Sequence, residues 1–321
     1  MQWAGFFSRT LKHLFLCQKT VKGNYRMFDV TVIGAGVVGG MIARRLAAYD
    51  LTICIVDKEN DVARGATAAN SAIVHAGFDA KAGSMKARMN VRGSQMMEQV
   101  CAELGVSYKR NGSLVVAFES ERAEVEDIYR RGVANGVEGL RIVEKEELFA
   151  MEPNLNPDLS CALYAPTGAI VCPYGLTIAA IGNAMDNGAE LQLNFEVVAI
   201  EKTAEGYTLT AADGRTVETR YLINSAGVFS DEIAKMLGDE SFSVHPRRGE
   251  YMLLDKECGQ TTTCTIFHTP TKMGKGVLVS PTVHGNLIVG PTATDMEDKT
   301  NTATTSEGFA DIRAKAGDNV A

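Results

Sequence analysis

The sequence predicts an α/β fold, and three features near its N-terminal end carry the prediction. The first is a run of β-branched residues at 30–33, which has the length of a buried strand. The second is the sequence GAGVVG at positions 34–39, directly after that strand. The third is a helical segment over 37–48, followed by a second strand, 52–56, that ends on Asp57. This order of elements is typical of a dinucleotide-binding unit.

The glycines and the acid each have a separate role in such a unit. Gly34 allows the tight turn out of the strand, Gly36 lets backbone approach a pyrophosphate, and Gly39 lets the helix pack close to the sheet. The start of the helix then directs free N–H groups at the phosphates. Asp57 can accept hydrogen bonds from both ribose hydroxyls and would repel a 2′-phosphate, so FAD or NAD(H) is favoured over NADP(H).

Composition excludes several other classes of protein. The 321 residues are enough for about two domains. A net charge of −7 without a basic stripe argues against a nucleic-acid partner. No stretch has the ~18 consecutive apolar residues of a transmembrane segment.

The cysteines and histidines indicate no metal site. None of the seven cysteines forms a C-x-x-C pair, and His245, His268 and His284 have no ligand spacing. An odd number of cysteines without such spacing predicts reduced thiols in a cytoplasmic protein.

The stretch after Asp57 distinguishes between the dinucleotides. Residues 61–77 are mostly small and include Thr67, Asn70 and Ser71, which can hydrogen-bond along an extended dinucleotide. The alternative is a polar loop that leads into a helix. A nicotinamide-only domain would usually continue straight to a third strand, so an NAD-dependent dehydrogenase is disfavoured.

The order of motifs resembles the FAD-dependent oxidoreductases of the D-amino-acid-oxidase superfamily. The sequence at 65–77, GATAANSAIVHAG, resembles the anaerobic-type glycerol-3-phosphate dehydrogenases and the related L-2-hydroxyglutarate dehydrogenases and oxidases. Residues 221–227 resemble the family's second cofactor motif, and residues 245–254 resemble its P-x-R-G-E-Y strand. The resemblance covers about residues 28–293 and implies FAD as the cofactor.

The resemblance also implies two interleaved domains. A Rossmann-like FAD-binding domain would contain residues 27–105 and 171–244, and an antiparallel-sheet substrate domain would contain 106–170 and 245–293. Residues 294–321 are expected to be a tail, because the family's closing segment is not found before Ala321 and the chain therefore looks truncated.

The motif and the resemblance together assign a set of residues to FAD. These are Gly34, Gly36, Gly39, Asp57, Lys58, Thr67, Asn70, Ser71, Val198, Ala226 and Gly227.

Oxidation of a secondary alcohol by hydride transfer to flavin N5 needs a base for the hydroxyl proton, and an anionic substrate needs a cation. His75 is the candidate base; the alternative is a histidine that only orients the flavin. Arg248 is the candidate clamp for the anion, and the alternative is a salt bridge with Glu250. Lys275 is a second candidate clamp, with a solvated surface lysine as the alternative.

The leading hypothesis is an FAD enzyme that oxidises sn-glycerol 3-phosphate to dihydroxyacetone phosphate. L-2-hydroxyglutarate is the rival substrate, and a non-catalytic flavin-binding fragment is a rival of another class. The electron acceptor stays open among oxygen, a quinone and an iron–sulfur protein.

Residues 1–26 are interpreted as an extension outside the fold, because Met27 directly precedes the first strand. They contain five basic residues and no acid, so a targeting peptide or an interfacial helix on a membrane is the alternative.

A chain that starts at Met27 should therefore melt within about two degrees of the full chain, since no core contact is removed. Calorimetric melting of the two proteins tests this. A large drop on removal of 1–26 would show that these residues pack on the domain.

Overall fold

The computed structural model describes residues 27–270 and 276–321. The predictions for residues 1–26 and for Lys275 lie outside these ranges. The helices are α1 (Val37–Leu46), α2 (Met85–Leu104), α3 (Arg122–Ala134), α4 (Lys145–Met151), α5 (Pro173–Asp186), α6 (Ser230–Met236) and α7 (Ser306–Ala316). The strands are β1 (Phe28–Ile33), β2 (Ile53–Val56), β3 (Ile73–Val74), β4 (Tyr108–Lys109), β5 (Ser113–Ala117), β6 (Arg141–Glu144), β7 (Cys161–Ala165), β8 (Ala169–Val171), β9 (Glu190–Gln192), β10 (Val197–Lys202), β11 (Tyr207–Ala211), β12 (Thr216–Asn224), β13 (Arg247–Arg248), β14 (Met252–Leu254), β15 (Thr265–His268), β16 (Leu278–Pro281), β17 (Leu287–Gly290) and β18 (Thr294–Asp295).

The first large sheet has the strand order β10-β11-β12-β1-β2-β9. The pairs β12–β1, β1–β2 and β2–β9 are parallel, and β10–β11–β12 is an antiparallel extension. Strand β2 is buried along its whole length, as expected for a strand inside a parallel sheet. Helix α1 packs against α5 next to this sheet.

The second large sheet has the order β14-β17-β16-β15-β5-β7-β6. It is antiparallel except for the β15–β5 pair, which is parallel. Its core includes Leu114, Ile266 and Val279, which are fully buried. A mixed fold with parallel and antiparallel sheets is therefore present, as the sequence predicted. A small sheet, β3-β8-β4, lies between the segments of these two sheets in the chain.

Three strand predictions were wrong in extent. The mostly apolar stretch 191–200, which its residues predict as one strand, contributes to two strands, β9 and β10, at opposite edges of the first sheet. The chain leaves β9 through Asn194, whose positive φ of 52° ends the extended run. Residues 217–219 and 221–227, which the sequence predicts as two strands, are replaced by the single strand β12, which ends at Asn224. The predicted strand over 245–254 is interrupted, since β13 pairs with β18 and β14 pairs with β17.

Two elements were missed by the sequence reading. Strand β15 lies in the middle of the second sheet, and helix α7 lies in the segment assigned to a tail. Helix α7 depends on tertiary contacts: Ile312 is fully buried in the second core, and the Glu250 carboxylate accepts a hydrogen bond from the Thr305 N–H at 2.6 Å. Tertiary contacts of this kind supply most of the stability of a short helix, and they cannot be read from the residues of the segment alone.

The six described cysteines form no disulfide, and burial raises the pKa of Cys54 to about 12. No cluster of metal-ligating side chains occurs in residues 27–270 and 276–321. Within the same ranges, no helix is both long and apolar enough to cross a membrane.

Lys299 ties the segment after β18 to helix α6. Its ammonium pairs with Asp231, which is buried, and lies 3.0 Å from a Glu232 oxygen. The hydrogen bond from Lys299 lowers the pKa of Asp231 to about 2. Because this pKa is lower in the folded protein than its ordinary value, the pair stabilises the fold fully above about pH 4 and loses its effect as the pH falls toward about 2.

Lys299→Met should therefore lower the melting temperature at pH 7 by at least about 2 °C. The gap between wild type and variant should narrow as the pH is lowered through 4, as thermal melts at several pH values would show. Lys315→Met is the matched control, because its pair with Asp311 is exposed. Equal shifts for the two variants would contradict the prediction.

Candidate functional site

The turn from β1 to α1 allows only glycine at two positions. Gly34 has a φ of +108°, and a Cβ there would lie 2.4 Å from the Ser225 carbonyl oxygen. A Cβ on Gly39 would lie 1.9 Å from the Gly34 oxygen. Gly36 is the N-cap residue of α1 and provides no side-chain cap. The start of α1 therefore packs against the sheet and leaves N–H groups available to an anion.

Asp57 closes this turn from the end of β2. Its Oδ2 accepts a hydrogen bond from the Ala35 N–H at 2.6 Å, and its Oδ1 accepts one from the Glu59 N–H at 2.9 Å. An ionised carboxylate has about four acceptor positions, so Asp57 keeps capacity for ribose hydroxyls.

The predicted FAD loop contacts both the start of α1 and Tyr251, which lies between β13 and β14. Thr67 is buried, and its Oγ1 accepts a hydrogen bond from the Val37 N–H at 3.0 Å. The Asn70 amide donates to the Thr67 carbonyl at 3.0 Å, which shapes the loop. The hydroxyls of Ser71 and Tyr251 are 2.8 Å apart, and burial raises the pKa of Tyr251.

The other residues assigned to FAD surround the same end of the first sheet or lie on its edge. The Lys58 ammonium lies 3.8 Å from the centre of the Phe229 ring, next to Ala226 and Gly227 in the chain. The loops after β2 and β12 are therefore neighbours. Val198 is at a register shift in the edge strand β10, where a bulge residue is left out of the ladder.

His75 lies beyond this loop and lines a cavity of about 180 Å³. Its ring stacks on Phe267 with centroids 5.6 Å apart, and Phe267 meets Phe78 edge-on at 6.5 Å. The amide of Asn90 in α2 donates to the His75 carbonyl at 2.8 Å. These contacts fix both the ring and the backbone of His75. The cavity is lined by His75, Gly77, Phe78, Asp79, Ala80, Lys86 and Asn90.

Arg248 forms the salt bridge that was the alternative to a substrate clamp. Its Nη2 lies 3.0 Å from Glu250 Oε1, and its Nη1 donates to Asn301 Oδ1 at 3.0 Å. Glu250 is only 3% exposed, so this pair is removed from solvent. The buried Nε of Arg248 has no acceptor in the parts of the chain that the structure describes. The charge of Arg248 is thus neutralised by Glu250, and its buried Nε–H is a donor that no described residue accepts from.

Sequence reasoning missed several residues of this region. Asn90 contacts His75, Lys86 lines the same cavity, and Phe267 stacks on the His75 ring. Lys86 and Asn90 lie in a segment that the sequence predicts only as a helix, and Phe267 lies in β15, which the sequence did not indicate. The one available signal was the spacing of Lys86 and Asn90, which places two polar residues on one face of α2.

The parallel sheet, the glycine turn and the terminal acid define a dinucleotide-binding protein. The family model described as "DAO: FAD dependent oxidoreductase" matches residues 29–320, and the chain belongs to this family. FAD is the cofactor of this family, and the residues present fit it. Gly36 leaves open the approach to α1, and the acceptor at Asp57 lies at the end of the adjacent strand.

Comparisons with individual proteins agree with the family. A glycerol 3-phosphate dehydrogenase from Caloramator mitchellensis is 47% identical over 284 residues, which are 88% of this chain and 59% of the relative. The human mitochondrial L-2-hydroxyglutarate dehydrogenase is 29% identical over 295 residues, 87% of this chain and 63% of the relative. The chain thus spans about three fifths of either relative.

A solved structure shows the same fold. The dithionite-reduced L-alpha-glycerophosphate oxidase from Mycoplasma pneumoniae, with FAD bound, has a TM-score of 0.87 at 29% identity. The match covers 92% of this chain and 79% of that one. The resemblance and the fold class predicted from the sequence are confirmed.

Asp57→Ala should weaken FAD binding by about 1.5–3 kcal/mol, because a charge-assisted hydrogen bond to the ribose is lost. Titration calorimetry with FAD measures this. Asp61→Ala is the control, because Asp61 is exposed in the same loop and accepts a hydrogen bond from the adjacent Val62 N–H. Equal FAD affinity in the two variants would exclude Asp57 as a ribose ligand.

Proposed function

We propose that this protein is an FAD-dependent dehydrogenase that oxidises sn-glycerol 3-phosphate to dihydroxyacetone phosphate. The observation that carries the proposal is the position of His75, which follows the loop that caps α1 and lines a cavity. The substrate class is supported by the similarity to the Caloramator glycerol 3-phosphate dehydrogenase and to the glycerol 3-phosphate oxidase of Mycoplasma pneumoniae. In this proposal residues 27–105 and 171–244 hold FAD, and residues 106–170 and 245–293 hold the substrate.

The chain's own residues would bind the cofactor and move a proton. FAD, when bound, supplies the flavin N5 that accepts the carbinol hydride. His75 accepts the hydroxyl proton, which requires a neutral imidazole held in a fixed orientation. The stack on Phe267 and the Asn90 hydrogen bond provide that orientation.

Arg248 would act as a hydrogen-bond donor more than as a free charge. Its positive charge is offset by Glu250, whereas the buried Nε can still donate to a substrate oxygen. A buried donor without an acceptor is costly, so a substrate oxygen there would be bound favourably. Lys275 stays a proposed second clamp.

L-2-hydroxyglutarate is the second candidate substrate. It is favoured by the 30% identity to the bovine L-2-hydroxyglutarate dehydrogenase, and its carboxylates suit the same cationic groups. Electrons would leave to an acceptor such as a quinone or an iron–sulfur protein.

Anaerobic mixing with substrate tests the proposal directly. The FAD-loaded full chain should lose its flavin absorbance at about 450 nm with sn-glycerol 3-phosphate, because the flavin is reduced. Reduction by L-2-hydroxyglutarate alone would establish the second candidate. Stable FAD binding without reduction by either compound would support a non-catalytic flavin-binding fragment.

His75→Asn should lower kcat/KM for sn-glycerol 3-phosphate by about 10²–10⁴-fold, the range for losing a general base. FAD binding should be retained, since the assigned FAD ligands are unchanged. Steady-state kinetics and flavin content measure the two effects. His284→Asn is the control, because His284 is exposed in the turn between β16 and β17. A loss of less than about threefold in His75→Asn would exclude the base role.

A further inference from the structure

The cavity next to His75 also contains a lysine that the sequence reading did not single out. We infer that the Lys86 ammonium binds the anionic group of the substrate in this cavity, where it pairs with the phosphate or carboxylate. The inference rests on the proposed function, because it assigns the charged end of the same substrate.

The start of α2 places Lys86 at the cavity. The Ser84 hydroxyl oxygen accepts a hydrogen bond from the Ala87 N–H at 3.1 Å, which fixes the first turn of the helix. Lys86 and Asn90 are four residues apart and therefore share one face of α2. Because the Asn90 amide donates a hydrogen bond to the His75 carbonyl, this face of α2 is held beside His75. Lys86 thus lines the cavity one turn before the contact that joins α2 to the candidate base.

Lys86 is available to an anion. Its side chain is exposed, and it makes no ion pair or side-chain hydrogen bond within residues 27–270 and 276–321. Asp79, the acid of the cavity lining, has an interaction of its own. The ammonium is a compact charge on a flexible four-carbon stem, so it can follow an anion that enters from solvent.

Arg248 cannot take this role at low cost. Moving its guanidinium from Glu250 to a substrate would leave a buried carboxylate without its counter-charge. Breaking a buried pair in this way is strongly unfavourable. A dianionic substrate instead needs a cation that forms no buried ion pair in the described part of the chain, and Lys86 supplies one without breaking a contact.

The experiment compares three ligands on the FAD-loaded full chain by titration calorimetry. The ligands are sn-glycerol 3-phosphate, inorganic phosphate and uncharged glycerol. The variants are Lys86→Met, which removes the charge at similar length, and Lys86→Arg, which keeps it. Lys81→Met is the matched control, because Lys81 is exposed just before α2 and does not line the cavity.

Lys86→Met should weaken the binding of both anions by about tenfold or more and leave the affinity for glycerol unchanged, because one charged hydrogen bond is lost. Lys86→Arg should stay within about threefold of wild type, since the charge is retained. The difference between anions and glycerol reports charge recognition, and a merely structural role of Lys86 would not produce it.

Three results would overturn the inference. These are anion affinities of Lys86→Met equal to those of Lys81→Met, an equal loss for glycerol, and a wild type that binds neither anion. Failure of the proposed function gives a different pattern: phosphate binds in a Lys86-dependent manner, but sn-glycerol 3-phosphate does not reduce the flavin.

Discussion

The close approach of three backbone segments at the end of β1 constrains the rest of the first sheet. Gly39 faces the Gly34 carbonyl, and Gly34 faces the Ser225 carbonyl, with no space for a Cβ at either glycine. Ser225 is held by β1 itself, because its N–H and its hydroxyl both donate to the Ile33 carbonyl, at 2.9 and 2.8 Å. The loop after β12 therefore cannot move independently of the glycine turn. One packing contact therefore positions both segments that the sequence analysis assigns to FAD.

Buried carboxylates organise the second sheet in a different way. The Glu250 carboxylate pairs with the Arg248 guanidinium and accepts a hydrogen bond from the N–H of Thr305, the N-cap residue of α7. Glu152 is 1% exposed and accepts hydrogen bonds from the N–H groups of Thr263 and Cys264 just before β15. Both acids are satisfied by backbone donors from distant segments, which makes their burial tolerable. The consequence for function is that the charge of Arg248 is already used by the fold.

The sequence determines the first half of the site better than the second. The glycine turn and Asp57 could be predicted because their constraints are local: three glycines, one helix start and one strand end lie within thirty residues. Strand β15 could not be recognised from its own residues, since its place in the sheet depends on β5, about 150 residues earlier. The same holds for the stack of Phe267 on His75, which no local pattern encodes. The predicted strand over 191–200 failed for a related reason, because an apolar run does not show that Asn194 turns the chain toward the other edge of the sheet.

The loop from Thr67 to His75 connects these two kinds of organisation. Its first residue caps α1 through Val37, its middle reaches Tyr251 beside the Arg248–Glu250 pair in the chain, and its end stacks on β15. Each of these contacts joins the loop to an element whose position is set elsewhere, by the glycine turn or by a buried carboxylate. A loop that is held by rigid elements on both sides is kept in one conformation. The predicted FAD loop and the candidate base His75 are therefore positioned by contacts with both sheet regions together.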